Sequence, residues 1–213
     1  MESFLIIDSY AYIPKIMKQE LFNKYILDAS RWLKKSRELM IAARYLVAIH
    51  AALYRNGKDV ISTTSSEFDY HPFQAWASVS NSAALLLGLA LENLIKAHLV
   101  SIGKIKIDEG NKIQGLTGNH NLSRMLAEAE CQLSEEEERS IAQLTFQLQT
   151  LSKYHLAKNA AKQSEFSGCT DNPQTIYDLI VRIAKRLLTD EHVKQWMARD
   201  ESYDHISERP FFN

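Results

Sequence analysis

A single acidic residue, Glu92, interrupts the most apolar stretch of the chain, and Lys96 follows it about one helical turn later. A carboxylate on an otherwise apolar helix destabilises the fold unless it is paired or solvated. Glu92 is therefore expected to have a partner. Two interpretations stay open, a structural ion pair and a contact to a ligand.

A second set of reactive side chains lies further along the chain, at a predicted helix start and a predicted helix end. If successive helices alternate in direction, both termini converge on the end of the helix that carries Glu92. A helix start offers free N–H groups to an anion, lysines neutralise it, and histidine transfers protons near neutral pH. The sequence thus predicts a phosphate or nucleotide pocket. Its binding residues are Glu92, Lys96, His120, Asn121, Tyr154 and Lys158, with His155 as a weak catalytic candidate.

Each of these residues also has a structural interpretation. Basic residues in the last turn of a helix stabilise it by about 0.3–1 kcal/mol, which would account for Lys96, His98 and Lys158. His50 and His155 lie on apolar stripes, as core or boundary histidines do. Converging titratable groups mark a site only statistically, so both interpretations stay open.

The elements that position these residues are predicted to be helical. The 213 residues include only seven Gly and four Pro, and apolar residues recur at helical spacing. One long helix is predicted over about 29–55, ended by Asn56-Gly57. Another is predicted over about 72–100 and is apolar nearly all round, as the central helix of a bundle is.

Capping signals predict three more helices, which start near Asn119 or Asn121, at Ser134 and at Asn172. The expected fold class is all-α, an antiparallel up-and-down bundle of four to five main helices with an extra N-terminal helix. Residues 1–28 form an N-terminal extension with a short helix, residues 29–199 the bundle, and residues 200–213 an irregular tail. Residues 58–70 and 103–118 are expected to be connections.

Composition excludes several classes of protein. A formal net charge of -1 leaves only a local basic surface for nucleic acid. Cys131 and Cys169 lack C-x-x-C spacing and are expected to be free thiols in a reducing compartment, with a single structural disulfide as the alternative. The apolar stretch 83–91 is far shorter than the roughly 20 residues that span a bilayer, and the first residues lack signal-peptide features. The protein is therefore expected in the cytoplasm, without a membrane partner.

Metal and cofactor chemistry are not expected. The chain has no Glu-x-x-His pair of the kind that holds metals inside bundles. It also has no phosphate-binding P-loop and no H-E-x-x-H zinc motif. No cofactor and no metal site are therefore predicted.

Four stretches, taken in order, resemble the HEPN superfamily of small helical bundles. Residues 42–46 read Ala-Ala-Arg-Tyr-Leu, and residues 90–97 are similar to the family pattern A-x-E-x-x-x-K-A. Residues 118–122 with Leu126 are similar to G-H-x-L-x-x-L with one residue inserted. Residues 151–160 align with a segment in which many members carry Tyr and then Arg-Tyr-Pro, where this chain has Lys158, Asn159 and Ala160.

The resemblance covers roughly residues 30–190 and implies more than a fold. It implies a protein that binds a nucleotide or RNA, forms a homodimer, and has an accessory role in prokaryotic defence, stress or toxin–antitoxin systems. A protein partner is also implied. The departures in residues 151–160 bear more on phosphate binding than on the fold.

Many HEPN proteins are metal-independent ribonucleases marked by an Arg and a following His with four to six residues between them. This chain offers Arg44 with His50, Arg186 with His192, and Arg199 with His205. About one such match is expected by chance, so these are weak catalytic candidates and an active ribonuclease is an alternative. A second alternative is a non-catalytic helical interaction module, with the loops 57–71 and 101–118 as partner surfaces.

Overall fold

The computed structural model of the protein describes residues 15–63, 70–108, 112–115, 120–150 and 172–197. Within these ranges the chain forms seven helices and one short antiparallel hairpin. The helices are α1 Lys15–Ile26, α2 Ala29–Thr63, α3 Tyr70–Ser101, α4 Leu122–Glu128, α5 Glu135–Thr150, α6 Pro173–Leu187 and α7 Asp190–Met197. The strands are β1 Lys106–Ile107 and β2 Ile113–Gln114. The predicted all-α class is confirmed.

Three helices begin at the capping residues that the sequence predicts. The Asn121 side chain accepts a first-turn backbone N–H of α4, and Asn172 does the same for α6. At the start of α5, Ser134 N–H donates to Glu137 Oε2 (3.1 Å) and Glu137 N–H donates to Ser134 Oγ (3.3 Å). This reciprocal pair is a capping box, which satisfies two otherwise unpaired N–H groups.

Two predicted boundaries are wrong. Helix α2 does not end at Asn56-Gly57 but continues to Thr63, so residues 58–63 are helical rather than a connection. One glycine inside a helix costs about 1 kcal/mol, and a helix that is already nucleated continues through it. The segment 103–118, predicted as a loop, contains the β1–β2 hairpin.

Helix α3 lies among α2, α4, α5 and α6. This position agrees with its apolar surface, because a helix that is apolar all round has to be covered on every side. Its side chains supply much of the buried core, including Ala83, Leu87, Leu91, Leu94 and Ile95.

Helix α5 runs antiparallel to α3. Just before α5 begins, Glu130 pairs with Lys104, which follows the end of α3, at 3.2 Å. Near the other end of α5, Leu148 packs against Gly88, where an added Cβ would lie 2.9 Å from the Leu148 Cγ atom. Gly88 thus allows close approach of the two helices, and α5 leads away from the C-terminal end of α3.

Helix α7 is held to the core by a buried hydrogen-bond chain. Trp196 Nε1 donates to Ser36 Oγ (3.0 Å), and Ser36 Oγ donates to the Ala90 carbonyl (2.7 Å). All three residues are buried. The chain links α7 to α2 and α2 to α3, so these three helices have a fixed relative position.

The segment Ser78–Ser101 is the one helix, among the described residues, long and apolar enough to cross a membrane by length and composition. The sequence prediction, based on the shorter stretch 83–91, did not identify it. In the structure 61% of that window is buried inside the protein. This is how the core helix of a soluble protein packs.

We expect Ser36→Ala to lower the free energy of unfolding by about 1–3 kcal/mol, because it leaves the buried Trp196 N–H without its acceptor. Urea unfolding followed by far-ultraviolet circular dichroism measures this. The control Ser123→Ala, on the exposed side of α4, should change stability by less than about 0.5 kcal/mol. Equal stability of both variants would show that the hydrogen-bond chain does not contribute.

Candidate functional site

Glu92 is the buried acid at the middle of the predicted site, and only 4% of its surface is exposed. Its Oε1 atom accepts a hydrogen bond from Lys96 Nζ at 2.5 Å. Its Oε2 atom lies 2.7 Å from His120 Nδ1. The structure thus brings together three residues that are up to 28 positions apart in the chain. The partner that a buried carboxylate needs is provided twice.

The two partners of Glu92 keep it ionised. Burial works to raise the pKa of Glu92, but hydrogen bonds from His120 and Lys96 outweigh burial and hold the pKa below its usual value. Lys96 Nζ also lies 5.0 Å from the centre of the Trp32 ring, close enough for a cation–π contact. Lys96 therefore balances the negative charge of Glu92, and His120 forms a hydrogen bond with the second carboxylate oxygen.

His120 has an unusual backbone conformation with φ +49°. This left-handed region is uncommon for residues with a side chain, although His, Asn and Asp adopt it more often than others. Because a carboxylate only accepts hydrogen bonds, Nδ1 of His120 is the donor to Glu92 and Nε2 lies on the far side of the ring. The side chain is 32% exposed, so the imidazole is oriented from the inside and partly open to solvent.

The other predicted binding residues do not join this group within the described chain. Asn121 uses its side chain to accept Arg124 N–H at 3.0 Å as the N-cap of α4. Tyr154, His155 and Lys158 lie outside the described residues. The expected convergence of helix termini is wrong for α5, since its start lies near the end of α3. The reason is the short α4. It begins beside Glu92 and leads the chain back to the C-terminal end of α3, where α5 starts.

Arg44 and His50 do not form a common site. Arg44 is exposed, whereas His50 is buried in the core with 4% of its surface exposed. Six residues of α-helix correspond to a rotation of about 240°, which places the two side chains on different faces. Burial also lowers the pKa of His50, as it does for a cation placed in an apolar environment.

Arg186 is used in a structural ion pair. It donates to both carboxylate oxygens of Glu137, at 2.8 and 2.9 Å, and to the Gln132 carbonyl at 3.1 Å. Hydrogen bonding to Arg186 lowers the pKa of Glu137 to about 2. This fork-shaped contact fixes α6 to the start of α5. His192, which the sequence spacing pairs with Arg186, lies on the next helix, α7, and is not part of this ion pair. Arg199 and His205 lie outside the described residues.

A cleft of about 680 Å³ lies where the start of α2, the end of α3 and the α6–α7 corner meet. Four side chains that can carry positive charge line it: Lys34, Arg37, His98 and His192. Arg37 and His98 are half-buried, and Lys34 and His192 are exposed. The floor is formed by the buried residues Ala97, Leu187 and Trp196.

The described ionisable side chains that line the cleft are all basic. No Asp or Glu is among the described residues that line it. The nearest acids in sequence are Asp28, before α2, Glu38, which follows Arg37 and is exposed, and Asp190 and Glu191, which are exposed at the start of α7. Asp28 already accepts hydrogen bonds from the Ser30 hydroxyl at 2.6 Å and from Arg31 at 3.1 Å, and the first of these lowers the pKa of Asp28.

Sequence reasoning identified His192 only as half of an Arg–His pair, and interpreted His98 as a last-turn cation. It missed the cleft because the lining residues come from three separate segments, around 29–37, 97–101 and 187–196. The one local signal is the spacing of Lys34 and Arg37, which puts both on the same side of α2. The other lining residues could not be grouped from the sequence, because the three segments are far apart in the chain.

No matching family model, curated protein or solved structure was found in comparisons with known proteins. Among the described residues, no group of three or more His, Cys, Asp or Glu could hold a metal ion.

We expect Glu92→Gln to lower the free energy of unfolding by about 3 kcal/mol, because it removes the buried counter-charge of Lys96. Urea unfolding at neutral pH measures the change. The control Glu38→Gln removes one member of an exposed pair with Lys35 (3.4 Å), and it should cost less than about 1 kcal/mol. A loss no larger than that of the control would contradict the structural importance of Glu92.

We expect the ion pair of Glu137 to contribute a stability that depends on pH. Its folded-state pKa of about 2 lies below the ordinary 4.5, so the contribution is complete above about pH 4.5 and is lost as the pH falls toward about 2. Unfolding free energies measured across this range should fall more steeply for the wild type than for Glu137→Gln. Glu138→Gln, exposed in the same turn, is the control, and parallel curves for wild type and Glu137→Gln would contradict the assignment.

Proposed function

We propose that the chain is a HEPN-like helical protein that binds a phosphate-bearing ligand, a nucleotide or RNA, in the cleft between α2, α3 and the α6–α7 corner. One observation carries this proposal. Lys34, Arg37, His98 and His192 line the cleft, and no acidic side chain is found among its described lining residues. Phosphate affinity depends on such a local accumulation of basic groups.

The charge of the cleft is a local property. The whole chain has 25 basic and 26 acidic residues, so its overall field does not attract polyanions. Basic side chains gathered in a concave site still act on a bound anion, because the low-dielectric walls focus the field. Selective phosphate binding in a protein of nearly neutral charge then requires a site of this kind.

The size and the apolar part of the cleft also suit a nucleotide. Its volume of about 680 Å³ falls within the roughly 300–1,000 Å³ of small-molecule sites. Leu33, Leu187 and Leu188 are among the lining residues and offer apolar surface to a base or sugar. Lys34 and Arg37 are among the same lining residues, where their charges would act on the phosphate.

The HEPN resemblance supports the wider proposal. It connects a bundle with α2, α3, α5 and α6 as main helices to nucleotide or RNA binding, to a homodimer, and to an accessory role in prokaryotic defence, stress or toxin–antitoxin systems. We propose the cytoplasm as its location, consistent with the packing of α3. The Arg–His ribonuclease mechanism receives no support from the described pairs, since His50 is buried and Arg186 is bound to Glu137.

We expect the double variant Lys34→Gln/Arg37→Gln to bind single-stranded RNA or a nucleotide about tenfold more weakly or worse. Fluorescence anisotropy with a labelled RNA, with unlabelled nucleotide as competitor, measures the affinity at several salt concentrations. Removal of two phosphate contacts should also reduce the salt dependence, by roughly 0.7 in logarithmic slope for each contact. Thermal unfolding of the same samples shows whether the variant stays folded.

A matched control removes the same charge elsewhere. Lys35→Gln/Arg139→Gln takes one Lys and one Arg from exposed positions that are not among the lining residues of the cleft. It should bind as the wild type does. Equal weakening by both double variants, or no binding by the wild type, would overturn the proposal.

A further inference from the structure

His120 has one imidazole nitrogen fixed inside the protein and the other directed away from it. Its Nδ1 atom lies 2.7 Å from Glu92 Oε2, and because an ionised carboxylate only accepts hydrogen bonds, Nδ1 carries the proton. Among the described residues, Glu92 is the only hydrogen-bond partner of this imidazole. The side chain is 32% exposed. Since Nδ1 faces a buried carboxylate, the exposed part of the ring is the side that carries Nε2, and the lone pair of Nε2 is accessible to small solutes.

Glu92 favours attack by this lone pair. A buried carboxylate that accepts Nδ1–H holds an imidazole in one tautomer and stabilises the imidazolium form. Burial works to raise the pKa of Glu92, but hydrogen bonds from His120 and Lys96 hold the pKa below its usual value, so Glu92 is ionised at neutral pH. When Nε2 forms a covalent bond, the ring becomes cationic. The carboxylate then stabilises the new charge at short range, inside a region of low dielectric.

Lys96 makes the same arrangement compatible with an anionic reagent. Its Nζ atom lies 2.5 Å from Glu92 Oε1, so the negative charge of the carboxylate is already balanced when a reagent approaches. Lys96 Nζ also lies 5.0 Å from the centre of the Trp32 ring, and this contact helps to keep it in place. An anion that approaches His120 therefore meets no net negative charge from Glu92 and Lys96.

The backbone holds His120 in a strained conformation, with φ +49°. The residues that follow are fixed, because the Asn121 side chain accepts Arg124 N–H at 3.0 Å and Leu122 is fully buried. Strain of this kind persists only where the surrounding structure imposes it, and it is concentrated at functional sites. The fold thus keeps the imidazole in place instead of letting it rotate freely in solvent.

We propose that His120 is a modification site, at which Nε2 accepts a phosphoryl group from a small acyl phosphate. The Nε2 lone pair attacks phosphorus and an N–P bond forms, while the P–O bond to the acyl group breaks and its electron pair leaves on the carboxylate product. No proton is transferred, because Nδ1–H stays bonded to Glu92, and nothing is oxidised or reduced. Neither Glu92 nor His120 lines the cleft, so this inference does not depend on the proposed function.

The type of reaction follows from what the site provides. General acid–base catalysis requires a substrate held within hydrogen-bond reach of the catalytic group. Transfer from a small activated donor requires only an accessible nucleophile, and histidine forms covalent intermediates of this kind. An acyl phosphate carries its own good leaving group, so the protein has only to present the imidazole and to stabilise the cation that forms.

The test treats the full chain with acetyl phosphate at neutral pH. Phosphorus NMR distinguishes the Nε2 from the Nδ1 isomer, and mass spectrometry of peptides prepared under alkaline conditions locates each modified histidine. We expect His120 to be phosphorylated on Nε2 about tenfold faster than His192 in the same sample, although His192 is the more exposed of the two. Equal or faster modification of His192, or no modification of His120, would overturn the proposal.

Variants separate the role of the carboxylate from that of exposure. Glu92→Gln keeps the size of the side chain but removes its charge, and it should slow modification of His120 about tenfold. Glu38→Gln, which removes an exposed carboxylate of α2, should not change the rate. Equal rates in these two variants contradict the proposal. Because Glu92→Gln is expected to lose stability, circular dichroism of each sample checks its fold, and the comparison of His120 with His192 in the wild type decides without it.

His120→Asn provides a further check that does not depend on Glu92→Gln. Asn also tolerates positive φ, so this variant is expected to keep the backbone conformation while it lacks the nucleophile. The Nε2-phosphohistidine signal assigned to His120 should disappear. Persistence of that signal at the wild-type rate would show that another histidine is the acceptor.

Discussion

The covering of α3 is the constraint on which the rest of the structure depends. This helix has buried side chains on almost every side, so other helices have to surround it. Burial of each large apolar side chain contributes about 1.5–3 kcal/mol, more than local capping or surface charge supplies at any one position. The positions of α2, α4, α5 and α6 follow from this requirement, and Gly88 sets how near α5 can approach.

Polar groups inside this apolar assembly then determine its details. Glu92 cannot be buried alone, and its two oxygens hold Lys96 from the same helix and His120 from the start of α4. The Ser36 hydroxyl links α2 to α3 and receives the indole N–H of Trp196. Hydrogen bonds of this kind add modest stability, but a buried group without its partner is costly, so they select one arrangement among many apolar ones. The cleft exists because Trp196 fixes α7 beside the start of α2.

Predictions from the sequence were correct wherever a short-range rule applied. The caps at Asn121, Ser134 and Asn172 depend on residues within three positions of one another, and all three are observed. The need of Glu92 for a partner was also predicted from the sequence, because an unpaired acid on an apolar helix destabilises the fold. The predicted end of α2 was too early, because the free-energy cost of Gly57 inside a helix is smaller than the gain from continuing a long helix. The predicted direction of α5 was wrong, because the short α4 returns the chain to the C-terminal end of α3 before α5 begins.

Composition and periodicity alone determined that the chain is helical, that α3 is the helix to be covered, and that Glu92 needs a partner. These properties depend on the side chains within one or two helical turns, which a sequence displays directly. The tertiary structure alone decided that Arg186 belongs to Glu137, that His50 lies in the core, and that His192 shares a cleft with Lys34. Such contacts join residues far apart in the chain, and they form only when the packing of the core brings those segments together.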